Sequence, residues 1–416
     1  MAGGDRYGHL DGLRGLAALN VMLSHAVVAF DFAVYNGVPA MSHWGSDLTL
    51  SAFPFLLPVA GASFSVCVFF VLSGFVLARA FSRSVLGVPA QVAKRIVRLT
   101  LPIASATLLS WALLRAGLIV NHEAAALTRS GWLAAQMTQA PDFFAALHEG
   151  TVGSWIAANE FTTSYNTSLW TMPIEFLGSA ILIVCFAIGR WGRQRGITRT
   201  AGGVAMLILA ILLNGRFIAL FAAGAAIHLL DVGPLLRARR LSSGCFVVML
   251  IVALFLGTVP FSSARGATWD WFVNLAPSFA IGRSWGLPAG FMTTTPVSGW
   301  HTLGAILLLV VADTWEWLRC FLARPAVRYL GTISFPLYLI HVPLLLSVGC
   351  GTFLALHAMQ LPYGVAALLA TLVFSLSTLA AAAMCTIVIE ASAIRMAAKT
   401  GDTIQRLTLS SRRATA

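Results

Sequence analysis

The sequence predicts an all-α integral membrane protein of about ten transmembrane helices, with both termini cytoplasmic and a polar cavity near mid-membrane. Three observations predict it. Of the 416 residues, 58% are hydrophobic and only 10% charged, with a mean hydropathy of +0.84, whereas soluble domains are roughly 45–50% apolar and about 25% charged. Apolar runs of the ~20 residues needed to cross a bilayer recur along the chain. When these runs alternate across a membrane, the basic residues collect on one side, as the positive-inside rule requires.

The expected spans, in order, cover residues 13–32, 62–82, 98–120, 168–190, 200–214, 216–231, 244–261, 298–318, 331–350 and 362–390. The fifth and sixth are short and share one apolar stretch broken at Asn214-Gly215-Arg216, which favours two short helices over one broken helix. From an inside start, only Arg115, Arg129, Arg216, Arg265 and Arg283 of the 27 Lys and Arg residues fall away from the inner side. The net charge of +12 therefore reports topology and gives no reason to invoke nucleic acid.

The longest outer loops, residues 121–167 and 262–297, carry Trp132, Trp155, Trp269, Trp271 and Trp285 among Gly, Pro and Thr. That mixture suits interfacial or re-entrant segments covering a cavity, or a simple aromatic belt. The domain is expected over residues 10–395, followed by a short basic cytoplasmic tail over 396–416. The first apolar run is expected to stay as a span, since no small-residue cleavage site follows it. The six cysteines lie in apolar runs or beside helix ends without a CxxC pair, and read as packed thiols.

Ionisable groups inside spans cost roughly 2.5–3.5 kcal/mol each on insertion scales, which makes every one of them a functional candidate. Arg14 and His25 are eleven residues apart, three helical turns plus about 20°, so they share a face about 16 Å apart along the axis. An Arg at the inner boundary and a His at mid-membrane suit a long donor held by its anionic end and presented to a base. Equally, Arg14 can snorkel and His25 can bond a neighbouring helix.

Lys94, Arg95 and Arg98 crowd one turn at the inner start of the third span, a pattern that fits plain anchoring or a cradle for a phosphorylated cofactor. Glu175 lies in the fourth span behind Pro173, which is expected to kink the helix, and no basic residue stands within a turn of it. Ser334, Tyr338 and His341 form an i, i+4, i+7 stripe in the ninth span. Ser73-Gly74 marks a close helix approach first and a substrate contact second. The other histidines fit no metal-ligand spacing, so no metal is expected.

Taken in order, "LDGLRGLAALNVMLSHA", "FFVLSGFVLARAF", "KRIVRLTLP", "SLWTMPIEF", "RFIALFAAGAAIHLL", "RYLGTISFPLYLIHVPL" and "IVIEASAIR" resemble the membrane-bound acyltransferases of family three, a group that includes O-antigen and exopolysaccharide O-acetylases. The resemblance covers almost the whole chain. It departs from the family pattern at Phe335, at Thr171-Met172 and at Ala391 after Glu390.

The resemblance implies a multi-pass enzyme of the cell inner membrane that moves an acyl group, usually acetyl, from cytoplasmic coenzyme A to a carbohydrate hydroxyl. It implies a catalytic His25, coenzyme A contacts at Arg14, Arg95 and Arg98, and cavity roles for Glu175, Ser73, Tyr338 and His341. Acetyl-CoA is then the donor, and the expected partners are membrane lipid, a free or lipid-linked glycan and a polysaccharide biosynthesis complex. Two chemistries stay open, direct attack with His25 as base and an acyl-His25 intermediate. A transporter or glycolipid flippase using the same polar groups is the competing class, weakened by the lack of repeated halves.

Overall fold

A computed structural model describes residues 7–414, apart from 54, 157–163, 197, 264–265 and 276–294. The regular elements among the described residues are all helical, with no strand among them. The main helices are α1 (Gly8–Phe30), α2 (Leu57–Arg83), α3 (Val88–Arg115), α4 (Met172–Arg193), α5 (Arg199–Leu212), α6 (Ala219–Leu229), α7 (Ser243–Gly257), α8 (Pro296–Thr314), α9 (Pro325–Leu344), α10 (Tyr363–Cys385) and α11 (Ala391–Ala414).

Among the described residues, seven helices are long and apolar enough to cross a bilayer, and an eighth is formed if α6 and Val232–Ala238, bent by 49°, count as one broken span. α5 and α7 are apolar but shorter, at 14 and 15 residues. Against the expected ten, seven or eight spans thus meet the length and apolarity needed to cross a bilayer among the described residues. The shortness of α5 follows from the Asn214-Gly215-Arg216 break, where Gly215 takes a φ of +94° that ends the helix.

α1 lies at the centre, packed along α2 on one side and α9 on another. Small residues make this possible. A Cβ on Gly15 would stand 2.3 Å from the Gly331 nitrogen, and one on Gly331 would stand 2.1 Å from the Asp11 carbonyl oxygen. Glycine is therefore obligatory on both sides of the α1–α9 contact, as in close-packed membrane helices generally. The expected close approach at Ser73-Gly74 is present, since a Cβ on Gly74 would lie 2.2 Å from the Phe221 carbonyl oxygen of α6.

Large apolar side chains such as Val248 and Ile251 on α7 and Leu368 and Leu376 on α10 are exposed. A helix surface of that kind belongs in hydrocarbon. Cys67 and Cys350 are buried as expected of packed thiols, but Cys245, in the first turn of α7, and Cys320, in the short helix Glu316–Leu322, are exposed.

Three details differ from the sequence expectation. α3 begins at Val88, ten residues before the expected start, so Lys94, Arg95 and Arg98 lie inside the helix and not at its mouth. Pro173 sits in the first turn of α4, after a 3-10 turn over Thr167–Thr171; there its missing N–H disturbs no helical bond, and it starts the helix without kinking it. The chain beyond α10 stays helical through a π-turn, Thr386–Glu390, and α11 packs along the start of α3. The Gly87 amide donates to Gln405 Oε1 at 2.8 Å, tying the basic tail down.

The segment from Asn121 to Ile156, expected as an outer loop, forms short helices, among them Gly131–Ala134 and Phe143–His148. These lie against α1 and α3: Ser130 Oγ donates to the Val28 carbonyl at 2.7 Å, and a Cβ on Gly150 would reach 2.8 Å from the Ala104 Cα. Trp285, Arg265 and Arg283 of the second loop lie outside the described residues.

Candidate active site

Between α1, α2, α3, α4 and α9 lies a cavity of about 170 Å³, lined by Arg14, Ser73, Arg95, Arg98, Glu175 and Tyr338, and also by Thr171, Ser334, Phe335 and Glu390. Six of the eight site residues expected from the sequence are thus brought to one place. His25 and His341 come together separately, beyond Tyr338.

Arg14 is held by the second and third turns of α9. Its Nε donates to Ser334 Oγ at 2.9 Å and one terminal nitrogen donates to the Gly331 carbonyl at 3.0 Å, with Asp11 Oδ1 at 3.2 Å. Arg95 and Glu175 form an ion pair across α3 and α4, with side chains only 13% and 14% exposed. Glu175 also accepts from Ser73 Oγ at 3.0 Å, and Arg95 Nε donates to Ser179 Oγ at 3.0 Å. The isolation of Glu175 expected from its own helix is corrected here, because its counter-charge comes from another helix. Arg98 is in ion-pair contact with no carboxylate among the described residues, which leaves a guanidinium facing the cavity for an anion.

Glu390 was given no role by the sequence. The π-turn at Thr386–Glu390 carries it into the lining opposite Arg14 and Arg98, and its buried Oε2 has no hydrogen-bond partner. A single extra residue in a turn rotates a side chain by about 100°, which helical periodicity does not reveal.

At the far side of the cavity the Tyr338 hydroxyl bonds the Ser168 carbonyl and Thr171 Oγ1, each at 3.0 Å. One turn further along α9, His341 Nε2 lies 2.9 Å from His25 Nδ1, and His341 Nδ1 lies 2.7 Å from the Tyr338 carbonyl oxygen. Trp132 stacks on His25 with ring centroids 5.2 Å apart. The covering segment therefore supplies one wall of the histidine site.

These contacts assign the protons. A carbonyl oxygen only accepts, so His341 carries its proton on Nδ1 and offers the Nε2 lone pair. His25 must then donate from Nδ1, which leaves the lone pair on His25 Nε2 free to take a proton. The stripe Ser334, Tyr338, His341 is real and divides its tasks: Ser334 holds Arg14, Tyr338 meets the 167–171 turn, and His341 orients His25.

Comparison with known proteins identifies the family. A family model described as "Acyltransferase domain" matches residues 7–382. The chain is 24% identical over 409 residues to "Acyltransferase clz18" of Cochliobolus lunatus and 23% identical over 412 residues to "Acyltransferase R4" of a Phoma species, each alignment spanning 83% of this chain and 84% of the relative. No solved structure matches. With the family model running from the start of α1 into α10, the chain belongs to the acyltransferase family it describes and is a helical membrane-type acyltransferase.

Proposed function

We propose that this acyltransferase moves an acyl group from a coenzyme A thioester to an acceptor hydroxyl, with His25 as the general base. The observation that carries the reading is the bond from His25 Nδ1 to His341 Nε2, which leaves the His25 Nε2 lone pair available. The acceptor O–H gives its proton to that nitrogen as its oxygen attacks the thioester carbonyl. Collapse of the tetrahedral intermediate breaks the C–S bond, and the departing thiolate takes the proton back from His25, so the enzyme ends unchanged.

The donor's phosphates suit the cavity. Arg14, Arg95 and Arg98 line it together with Glu175, which pairs with Arg95, and Glu390, so the guanidiniums outnumber the carboxylates and Arg98 is left outside any direct ion pair among the described residues. The Tyr338 hydroxyl and the two histidines follow in order from there, supporting a donor that enters phosphate-last with its thioester toward His25. Tyr338 gives its proton to protein oxygens in this state, so an oxyanion role for it requires that bond to exchange.

The finer reading places the enzyme in the cell inner membrane with both termini and the arginine end cytoplasmic, acetyl-CoA as donor and a carbohydrate hydroxyl as acceptor. It rests on the distribution of basic residues and on the resemblance of the motifs. Purified protein mixed with acetyl-CoA and a candidate acceptor should release free coenzyme A thiol in proportion to acylated product. Release that proceeds equally in the His25→Ala variant would remove the base assignment. In sealed inverted vesicles, acetyl-CoA outside should serve an enclosed acceptor; a requirement for luminal acetyl-CoA would reverse the orientation.

A further inference from the structure

We propose that Asn166 is a positioning residue for the His25–His341 pair, supplying the hydrogen-bond donor that Pro343 withholds from the Leu339 carbonyl of α9. The inference rests on the acyl-transfer reading and assigns a function to a residue outside the cavity lining.

Pro343 lies inside α9. In an α-helix the amide of residue i bonds the carbonyl of residue i−4, so a proline at 343 leaves the Leu339 oxygen without its helical partner. An open carbonyl deep in an apolar bundle is costly and normally finds another donor. Here the donor is Asn166 Nδ2, 2.6 Å away, from a side chain with no exposed surface.

The Asn166 amide cannot turn over without loss. Its Oδ1 accepts from the Ser168 amide at 3.2 Å and from Ser168 Oγ at 2.6 Å, so the nitrogen has to face Leu339. The backbone behind it is held as firmly. The Glu149 carboxylate accepts from Ser164 Oγ, the Tyr165 amide and the Asn166 amide at 2.7, 2.9 and 3.1 Å.

One short segment thus grips α9 at two successive residues, through Asn166 on the Leu339 carbonyl and through Ser168 on the Tyr338 hydroxyl. The carbonyl of that same Tyr338 orients His341. A loosened turn at 339 therefore rotates the very stretch whose register sets His341 against His25. The chemistry is second-hand: Asn166 touches no reacting atom and acts through the ring it keeps in place.

The test is a double-mutant cycle with Pro343→Ala, which returns an N–H to position 343 and makes the Asn166 donor redundant. Asn166→Leu in the wild-type background should lower kcat for acyl transfer about 10- to 100-fold, the usual range for outer-shell residues, with KM for acetyl-CoA unchanged. In the Pro343→Ala background the same change should cost at least ~5-fold less. Equal cost in both backgrounds, or an effect confined to KM, would overturn the proposal. If Asn166→Leu does not purify as a monodisperse protein, Asn166→Asp carries the same comparison, since it keeps the acceptor for Ser168 and removes the donor.

A substrate-free readout separates this inference from the acyl-transfer reading. In 15N-histidine-labelled protein, the resonances of the His25–His341 bond should change in Asn166→Leu and return in the double variant. A cycle that holds in the spectra while the wild type transfers no acyl group would support the clamp and sink the acyl-transfer reading. Active wild type with spectra indifferent to Asn166 would sink the clamp alone.

Discussion

His25 and His341 are 316 residues apart in sequence, yet their imidazoles are joined by a 2.9 Å bond between Nδ1 and Nε2. Bringing them together takes the whole α1–α9 contact, with glycine on both sides so that the two helix backbones nearly touch. The packing of the fold and the chemistry of the site meet in that contact.

Arg95 and Glu175 stand or fall together. Breaking a buried ion pair by removing one partner typically costs about 3–5 kcal/mol, because the other charge is left uncompensated. Arg95→Gln alone should lower the apparent Tm in detergent, and adding Glu175→Gln should recover most of the loss. A double variant no more stable than Arg95→Gln would mean that Glu175 draws its compensation elsewhere.

Arg98 is a cleaner probe of donor binding than Arg95, since no carboxylate among the described residues stands in ion-pair contact with it, Glu390 and Glu175 acting on it only through space. Arg98→Gln should leave folding intact and raise KM for acetyl-CoA about tenfold or more while kcat changes little, because phosphate contacts are equal in ground and transition states. Unchanged acetyl-CoA saturation would return Arg98 to a membrane anchor.

Gly331→Ala places a Cβ 2.1 Å from the Asp11 carbonyl oxygen and must push α1 from α9. Overpacking of this kind costs about 1–3 kcal/mol, and the separation should also lengthen the His25–His341 bond and depress kcat. Gly189→Ala, with open space around it, is the matched control and should behave as wild type in both melting and turnover.

Asp31, which caps the short helix Phe32–Asn36 just past α1, has its carboxyl pushed up from 3.8 to about 6, first by burial and then by the nearby Asp47 charge. A folded value above the unfolded one means the native state holds the proton more tightly. Its contribution is therefore full below about pH 4 and is lost as pH rises through about 6. Asp31→Asn keeps the cap and should flatten that part of the Tm-against-pH curve. Parallel curves for the two proteins would show that Asp31 does not titrate in this window.

What the sequence makes legible follows from what a helix keeps regular. Arg14 and His25, and Ser334, Tyr338 and His341, share faces because one periodicity connects each set, and the structure uses both sets. Arg95 with Glu175 was illegible because the partners sit on different helices, and charge spacing along one helix says nothing of its neighbour. Asn166 caps a 3-10 turn and Glu149 opens a π-turn, where the α-helical periodicity gives no direction. The one signal for them was Pro343, which announces a missing donor without saying who supplies it. Glu390 was hidden by a π-turn, and the length of α3 by its amphipathic first turns, whose Gln91, Lys94 and Arg95 lower the hydropathy of a helix that is nonetheless continuous.

The most direct measurement of the central claim compares His341→Gln with His341→Leu by acceptor-dependent thiol release from acetyl-CoA. A glutamine places an oxygen near the position of Nε2 and still accepts the proton of His25 Nδ1, whereas leucine accepts nothing. The account predicts that His341→Gln stays within about tenfold of wild type while His341→Leu falls about 100-fold or more in kcat at constant KM, with His25→Ala inactive in both backgrounds. Equal activity of the glutamine and leucine variants, or wild-type turnover by His25→Ala, would contradict it.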